Sequence, residues 1–570
     1  MRKIFMFTFS WLALLSIVLA GCAPAATPVP AAIIAPEVVE ATKVPEATMA
    51  PEVPAAVPAA SDAPVKILVF SPQFPDQDLA TNLTTIDIQK KFNVEFEWQT
   101  TTSDGNSAKE QRQISLASGD YPELYLLIPW VDQFSQIDLM RYGQQGVILP
   151  LNDLIDQYAP NLTAVIDSHP YFKAMTYAPD GKIYGVGQLV ECFHCTYAYK
   201  MWVNTKWMKA LGIDTPKTTD EFKAMLQAFK TKDPNGNGKA DEVPLSGSIE
   251  DWGVRVIPYL MNGFIYDDDR SFLSLSGGQA KFVADQLAWR DGLRYIKTLY
   301  DAGLIDPGAF TQNADSFKKI GTNADAQILG AGAGMHPAIF TDIASDKYGA
   351  DYDASPPVAG PNGIYATYVY PSVAGATFVL TNKASKEAQI AAIKMLDYMF
   401  TAEGAYLNMG KEGVDWRKPE AGEKALNLDV AAMLTPIEKP QDSNPLNSSW
   451  GAMAQYNNTK EVRDSIVASE DVYNMSGYER RLQDATNLMA PYTPKEIFPY
   501  WALWFDPAKA DEAAMLRTNI TDYVQQNSLE FVTGVKDLDK DWDAYVSGFA
   551  KLGLPGYVEM MQKAYDGAFK

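Results

Sequence analysis

From residue 65 onward, apolar positions recur with periods that predict elements. Val65-Lys66-Ile67-Leu68-Val69-Phe70 reads as a buried strand, closed by Ser71-Pro72-Gln73-Phe74-Pro75. A polar helix is predicted near 77–91, and Asn93-Val94-Glu95-Phe96-Glu97-Trp98 alternates as a second strand. A helix over about 106–118 and a buried strand at Glu123-Leu124-Tyr125-Leu126-Leu127-Ile128 complete the run. Strand, helix, strand, helix, strand predicts a parallel sheet with helices on its faces. In such sheets ligands sit beyond the carboxyl ends of the strands, here residues 71–76 and 129–132.

A second set begins at Tyr199-Lys200-Met201-Trp202-Val203-Asn204. Thr218 with Glu221 three residues on is a capping box, and Phe222, Met225, Leu226 and Phe229 form one apolar helical stripe. Helices are also predicted over 281–301, with Leu293, Ile296 and Leu299 on one face, and over 385–402, with Ile390, Ile393 and Leu396. Between them 327–335 and 375–380 read as glycine-containing strands. Gly330-Ala331-Gly332-Ala333-Gly334 lacks the Lys and Ser/Thr of a phosphate loop, so it is expected as a tight strand or turn near the cleft. No internal repeat is present.

Before residue 65 the pattern is different. Arg2-Lys3 precede an apolar run from Ile4 to Ala20, which ends in Leu19-Ala20-Gly21-Cys22. This resembles a bacterial lipoprotein signal over 1–21, which implies cleavage before Cys22 and a diacylglycerol on its sulfur. The alternative is an uncleaved transmembrane anchor, but the run is at the bottom of the spanning range of about 17–25 residues and carries Thr8, Ser10 and Ser16. Residues 22–64 are rich in Ala and Pro, with no periodic apolar face. They are expected to form a lipid-anchored, partly polyproline II linker that places function outside the cytoplasmic membrane.

The 570 residues suit two or more packed units, and 47% apolar composition excludes a disordered chain. With 48 Lys and Arg against 70 Asp and Glu, the net charge is -22 and no dense basic run occurs, so no nucleic-acid partner is expected. Three cysteines, Cys22, Cys192 and Cys195, exclude a disulfide-framework protein.

Several segments together resemble extracellular solute-binding lipoproteins of ABC importers, family 1, and within them the longer members related to alginate-oligosaccharide-binding proteins. They are Leu116-Ala117-Ser118-Gly119-Asp120-Tyr121-Pro122, Leu149-Pro150-Leu151-Asn152-Asp153-Leu154-Ile155, Asp180-Gly181-Lys182-Ile183-Tyr184-Gly185 and Trp202-Val203-Asn204-Thr205-Lys206-Trp207. Asp233 to Leu245, Gly413-Val414-Asp415-Trp416 and Phe531-Val532-Thr533-Gly534 continue the match in the same order. The resemblance implies an α/β, periplasmic-binding-protein-like (type 2) fold: two α/β lobes that close on sugar held in an interlobe cleft. The expected division is 65–197 plus about 345–405 for the N-terminal lobe and 198–344 plus about 406–570 for the C-terminal lobe. The implied partners are an oligosaccharide or other polar solute and ABC permease subunits, with the chain a monomer held to the membrane by its lipid.

The loop Asp233-Pro234-Asn235-Gly236-Asn237-Gly238-Lys239-Ala240-Asp241-Glu242 has oxygen side chains at positions 1, 3, 5 and 9 and Gly at 6, the spacing with which an EF-hand-type loop wraps Ca2+. Position 12 is Pro244, so the bidentate carboxylate must come from elsewhere, with Glu242 the local choice. The resemblance implies structural Ca2+ on Asp233, Asn235, Asn237, the Lys239 carbonyl, Asp241 and Glu242; the plain alternative is an Asn/Gly turn. Cys192-Phe193-His194-Cys195 admits a zinc half-site, a redox dithiol or a structural disulfide, and the disulfide is favoured outside the cytoplasm.

No Gly-x-Ser-x-Gly or His-Glu-x-x-His motif is present, and no carboxylate pair is singled out, so no catalytic residues are assigned. Sugar sites combine flat aromatic faces with fixed polar groups. The candidates are Trp130, Trp252, Tyr368, Trp416, Trp450, Trp501 and Trp504, with Gln73, Asp76 and Arg417 as polar contacts; Trp416 leads because Gly413 permits a tight turn. The expectation is a noncatalytic receptor. A surface-tethered carbohydrate hydrolase and a peptide or lipid-precursor receptor on the same fold are the alternatives.

Overall fold

The computed structural model describes residues 63–343, 347–369, 375–437 and 447–570, all within one unit, Ser61–Lys570. Cys22, the signal and the linker to residue 62 lie outside the described residues.

The first sheet begins as the periodicity predicts. β1 (Val65–Gln73), α1 (Leu83–Phe92), β2 (Val94–Thr102), α2 (Gly105–Ser118) and β3 (Leu124–Leu126) follow in order, and β1 lies between β2 and β3, parallel to both. β1 runs three residues past the predicted stop because its register with β2 continues from Val65 opposite Val94 to Gln73 opposite Thr102. α1 starts late, at an Asn82 cap whose side chain accepts the Thr84 N–H. The sheet gains an antiparallel edge strand, Phe378–Leu380, which pairs with β3. Ile67 and Val69 face one core with Leu124, Leu126, Phe378 and the helix Lys386–Met399, while Phe70, Tyr125 and Leu127 face a second.

α2 and the loop after β3 are joined by a buried ion pair. Arg112 donates from Nε to Asp132 Oδ2 at 2.6 Å and from a terminal nitrogen to Oδ1 at 3.1 Å, and it bonds the Gln133 carbonyl at 3.2 Å. Its guanidinium also stacks 4.3 Å from the Phe134 ring centre.

The second sheet is antiparallel. Met201–Asn204 is its middle strand, flanked by Ala331–Ala333 and Tyr352–Ser355. The alanine–glycine run is therefore a buried strand, and its glycines are steric: a Cβ on Gly330 would stand 2.6 Å from the Phe229 ring and 2.8 Å from the Pro244 carbonyl oxygen. Thr219–Thr231 follows its capping box, with the Glu221 N–H on Thr218 Oγ1 at 3.2 Å and Glu221 Oε2 accepting the Thr218 N–H at 3.1 Å. Phe222, Met225, Leu226 and Phe229 are all buried. Thr218→Ala is expected to lower stability by about 1 kcal/mol, seen as a reduced urea midpoint at unchanged slope.

One expectation is corrected here. The helix predicted over 281–301 begins only at Leu287, because Gln279–Phe282 pairs with Leu273–Ser276 as a hairpin. Tyr352–Ser355 hydrogen-bonds to the second sheet, while Trp450, Met453 and Tyr456 pack in the core of the first. Among the described residues no helix is long and apolar enough to cross a membrane.

Candidate functional site

At the carboxyl end of β1, Gln73 is turned inward and its Oε1 accepts the Leu79 N–H at 3.1 Å; Asp76 is exposed. Past β3, the loop pinned by Arg112 carries Trp130, which is 64% exposed. That exposure is large for tryptophan and leaves a flat apolar face in water beside the strand ends.

Trp416 and Arg417 form a short strand paired with Thr435–Pro436. Gly413 adopts φ 80°, and its N–H bonds the Trp416 carbonyl at 2.7 Å, a tight turn that a side chain with a Cβ would strain. The Trp416 indole N–H is used locally, on the Gly410 carbonyl at 3.0 Å. Arg417 grips Glu423 with two bonds of 2.9 and 2.7 Å. That grip, with the Glu420 N–H and the Thr435 hydroxyl, holds the Glu423 carboxyl down at about 2. Arg417 and Glu423 line a cavity of about 1320 Å³ together with Thr435, Asn458, Arg463 and Glu479. Its size and mixed lining suit a polar ligand of several rings.

Aromatic rings converge elsewhere. Tyr368 and Trp501 lie 6.5 Å apart between ring centres, Tyr171 is 6.4 Å from Trp501, and Tyr197 is 5.5 Å from Tyr368. Phe193 extends the series at 6.1 Å from Tyr197. The Trp501 carbonyl accepts from Gln136 at 3.3 Å, which fixes the segment against the helix Gln136–Gln144 of the first set.

The ten candidates thus separate. Tyr368 and Trp501 come together, Arg417 lines the large cavity with Trp416 as its chain neighbour, and Gln73, Asp76 and Trp130 stand at the strand ends. Trp450 is 2% exposed and donates to Thr85 Oγ1 at 2.7 Å, Trp504 is buried and donates to the Ala174 carbonyl at 2.9 Å, and Trp252 is half-buried against the core that contains Trp202. Trp501 is itself only 5% exposed, with half-buried Tyr368 and the 41% exposed Tyr171 on its open side. Tyr171, Tyr197 and Phe193 join this group of rings without being sequence candidates, since each stands alone in its segment with no local pattern that marks it.

The acidic loop is wound on itself. Asp233 (φ 44°) accepts the Asn237 N–H at 3.1 Å and the Gly238 N–H at 3.0 Å, and Asn237 Oδ1 accepts the Lys239 N–H at 2.8 Å. Asp241 accepts from the amides of Asn235 and Asn237, each at 3.1 Å. Glu242 Oε1 is buried without a hydrogen-bond partner, and burial, with the negative Asp241 and Asp233 beside it, raises its pKa. A buried carboxylate oxygen without a donor is costly, and an all-oxygen set around it fits a hard divalent cation. After the loop, Val243 and Leu245 bridge to Leu329 and Ile305 as extended chain, so no exit helix follows. Cys192 and Cys195 are joined by a disulfide with Cα atoms 5.1 Å apart.

Two α/β lobes with aromatic and polar groups gathered from both sets of elements define a ligand-binding body of the periplasmic-binding-protein type. The chain belongs to the bacterial extracellular solute-binding proteins, whose family profile matches residues 79–406. It is 29% identical over 518 residues to the fructooligosaccharide ABC transporter substrate-binding protein FusA of Streptococcus pneumoniae, covering 87% of this chain and 88% of that protein. The solved structure of FusA in complex with kestose superposes with a TM-score of 0.65 at 26% identity, over 88% of this chain and 99% of that one. The fold is also that of a human-milk-oligosaccharide-binding solute-binding protein from Bifidobacterium longum infantis, at TM-score 0.70 and 19% identity, over 89% of this chain and 99% of that one.

Proposed function

We propose that this protein is a noncatalytic receptor that captures an oligosaccharide and delivers it to an ABC permease. The observation that carries the reading is the pairing of Tyr368 with Trp501, extended by Tyr171 and Tyr197. Aromatic faces gathered from distant segments are what the C–H faces of sugar rings stack on. The relationship to FusA, solved with kestose, supports a short neutral oligosaccharide over an anionic one. The net charge of -22 points the same way.

In this reading the N-terminal lobe comprises 65–197 and about 375–405 with 450–456, and the C-terminal lobe the remaining described residues. Ca2+ at Asp233, Asn235, Asn237, Lys239, Asp241 and Glu242 acts as a structural ion. It would neutralise the loop's carboxylates and occupy the orphaned Glu242 oxygen; a solved FusA structure carrying an EF-hand mutation supports such a loop in this group. A lipid on Cys22 tethers the body as a monomer, so Cys22→Ala is expected to release the protein from the membrane fraction and to abolish incorporation of labelled fatty acid.

The test of the receptor is calorimetry of the mature protein against a glycan panel, with chromatography of the mixtures. Saturable one-to-one binding with no new product is expected. Tyr368→Ala, at a half-buried ring, should weaken that binding at least tenfold while far-ultraviolet circular dichroism stays unchanged. Product without stable binding would replace the receptor by a hydrolase.

A further inference from the structure

Apart from the Phe193 ring beside Tyr197, the loop Cys192-Phe193-His194-Cys195 takes no part in the ligand or calcium chemistry above, yet folding has assembled a donor set around it. Cys192 Sγ lies 3.4 Å from His194 Nε2, and the ligand atoms of Cys192, His194 and Cys195 all lie within 4.8 Å of one another. The other ring nitrogen, Nδ1, faces Glu479 Oε2 at 3.4 Å, brought there by the helix Tyr478–Asn487. Cys192 and His194 are buried, while Cys195 is half-buried and gives access to the pair.

These distances carry meaning for metals. With Zn–S of about 2.3 Å and Zn–N of about 2.0–2.1 Å, tetrahedral ligands place sulfur and nitrogen about 3.5 Å apart. The Cys192–His194 spacing already matches that edge. A carboxylate on the remaining ring nitrogen is the arrangement that fixes tautomer and orientation of a metal-bound imidazole. With the proton on Nδ1 toward Glu479, the lone pair sits on Nε2. Lys200 Nζ bonds the His194 carbonyl at 2.8 Å, and Arg463 bonds Glu479 at 3.1 Å, which holds the histidine backbone and the carboxylate in place.

We propose that reduction of the Cys192–Cys195 disulfide turns this loop into a three-ligand site, Cys192 Sγ, His194 Nε2 and Cys195 Sγ, for a thiophilic closed-shell cation, Zn2+ or Cu+. A dithiol reductant supplies two electrons and two protons: the S–S bond breaks, two thiols form, and the reductant closes to its own disulfide. The cation then displaces the two thiol protons to solvent and binds the thiolates. Two thiolates and an imidazole complete a trigonal set for Cu+, whereas Zn2+ keeps a fourth position for water. The disulfide and the metal are thus mutually exclusive states of one loop.

The experiment uses the full mature protein in excess Ca2+, so that the Asp233 loop is not available to added metal. Protein reduced by a dithiol and desalted without oxygen is titrated with Co2+ as the Zn2+ probe, and separately with Cu+ against a competing chelator. One equivalent bound, with sulfur-to-cobalt charge-transfer absorption, is expected only after reduction; the two arms identify which cation binds tighter. Cys192→Ser/Cys195→Ser should abolish the signal, and the partly exposed Glu479→Gln should weaken binding about 10–100-fold with the oxidised melt unchanged. Reduced protein that binds no more metal than the double serine variant, or affinity indifferent to Glu479→Gln, overturns the site.

Discussion

Removing calcium with a chelator is expected to produce the largest drop in melting temperature of any simple treatment of this protein. An ion that binds only the folded state stabilises it by about 4 kcal/mol when present at a thousand times its dissociation constant. The loop also loses more than a ligand. Asp233, Asp241 and Glu242 would face one another without a counter-charge, and the buried Glu242 oxygen would return to having no partner. Differential scanning calorimetry with and without chelator reads the effect, and Mg2+ should restore it poorly because the smaller ion demands a tighter octahedral cage. Glu242→Gln should lower the melt in Ca2+ and shrink the chelator shift. An unchanged melt in chelator would remove the ion from the account.

Arg112→Met is the substitution expected to cost most, about 3–5 kcal/mol by urea unfolding, since it strips a buried carboxylate of its partner. Both side chains are almost fully enclosed, at 1% and 2% exposure. Asp132 would be left charged in the interior, and the Gln133 carbonyl and the Phe134 face would lose their contacts. Pairing the change with Asp132→Leu should recover part of the loss, because two apolar groups leave no uncompensated charge. A single-variant cost under 1 kcal/mol would mean that water reaches Asp132 in the folded state.

Much of the fold was legible because local periodicity reports which side of an element is dry. The stripe Phe222, Met225, Leu226 and Phe229 and the box Thr218–Glu221 could be read directly, as could the order of β1 to β3 and their parallel sense. The acidic loop was legible too, since its donors lie within ten positions of one another and a turn alone brings them together. Trp450 shows the limit: an indole in a loop reads as available, but its N–H had a partner in Thr85 and its ring had room among Phe96 and Trp98. Side-chain type does not tell a stacking platform from a core ring when both want one polar bond and a large apolar contact.

By itself the sequence determined the helical and strand faces, the acidic loop, the lipid-type signal motif and a family resemblance carried by ordered segments. Only the tertiary structure decided that Phe378–Leu380 closes the first sheet, that Tyr352–Ser355 belongs to the second, and that Tyr171, Tyr197, Tyr368 and Trp501 share one neighbourhood. It likewise brought Glu479 to His194. The physical reason is the same in each case. Periodicity encodes burial along a few turns of chain, whereas pairing between distant segments is set by the sum of many small contacts that no single segment contains.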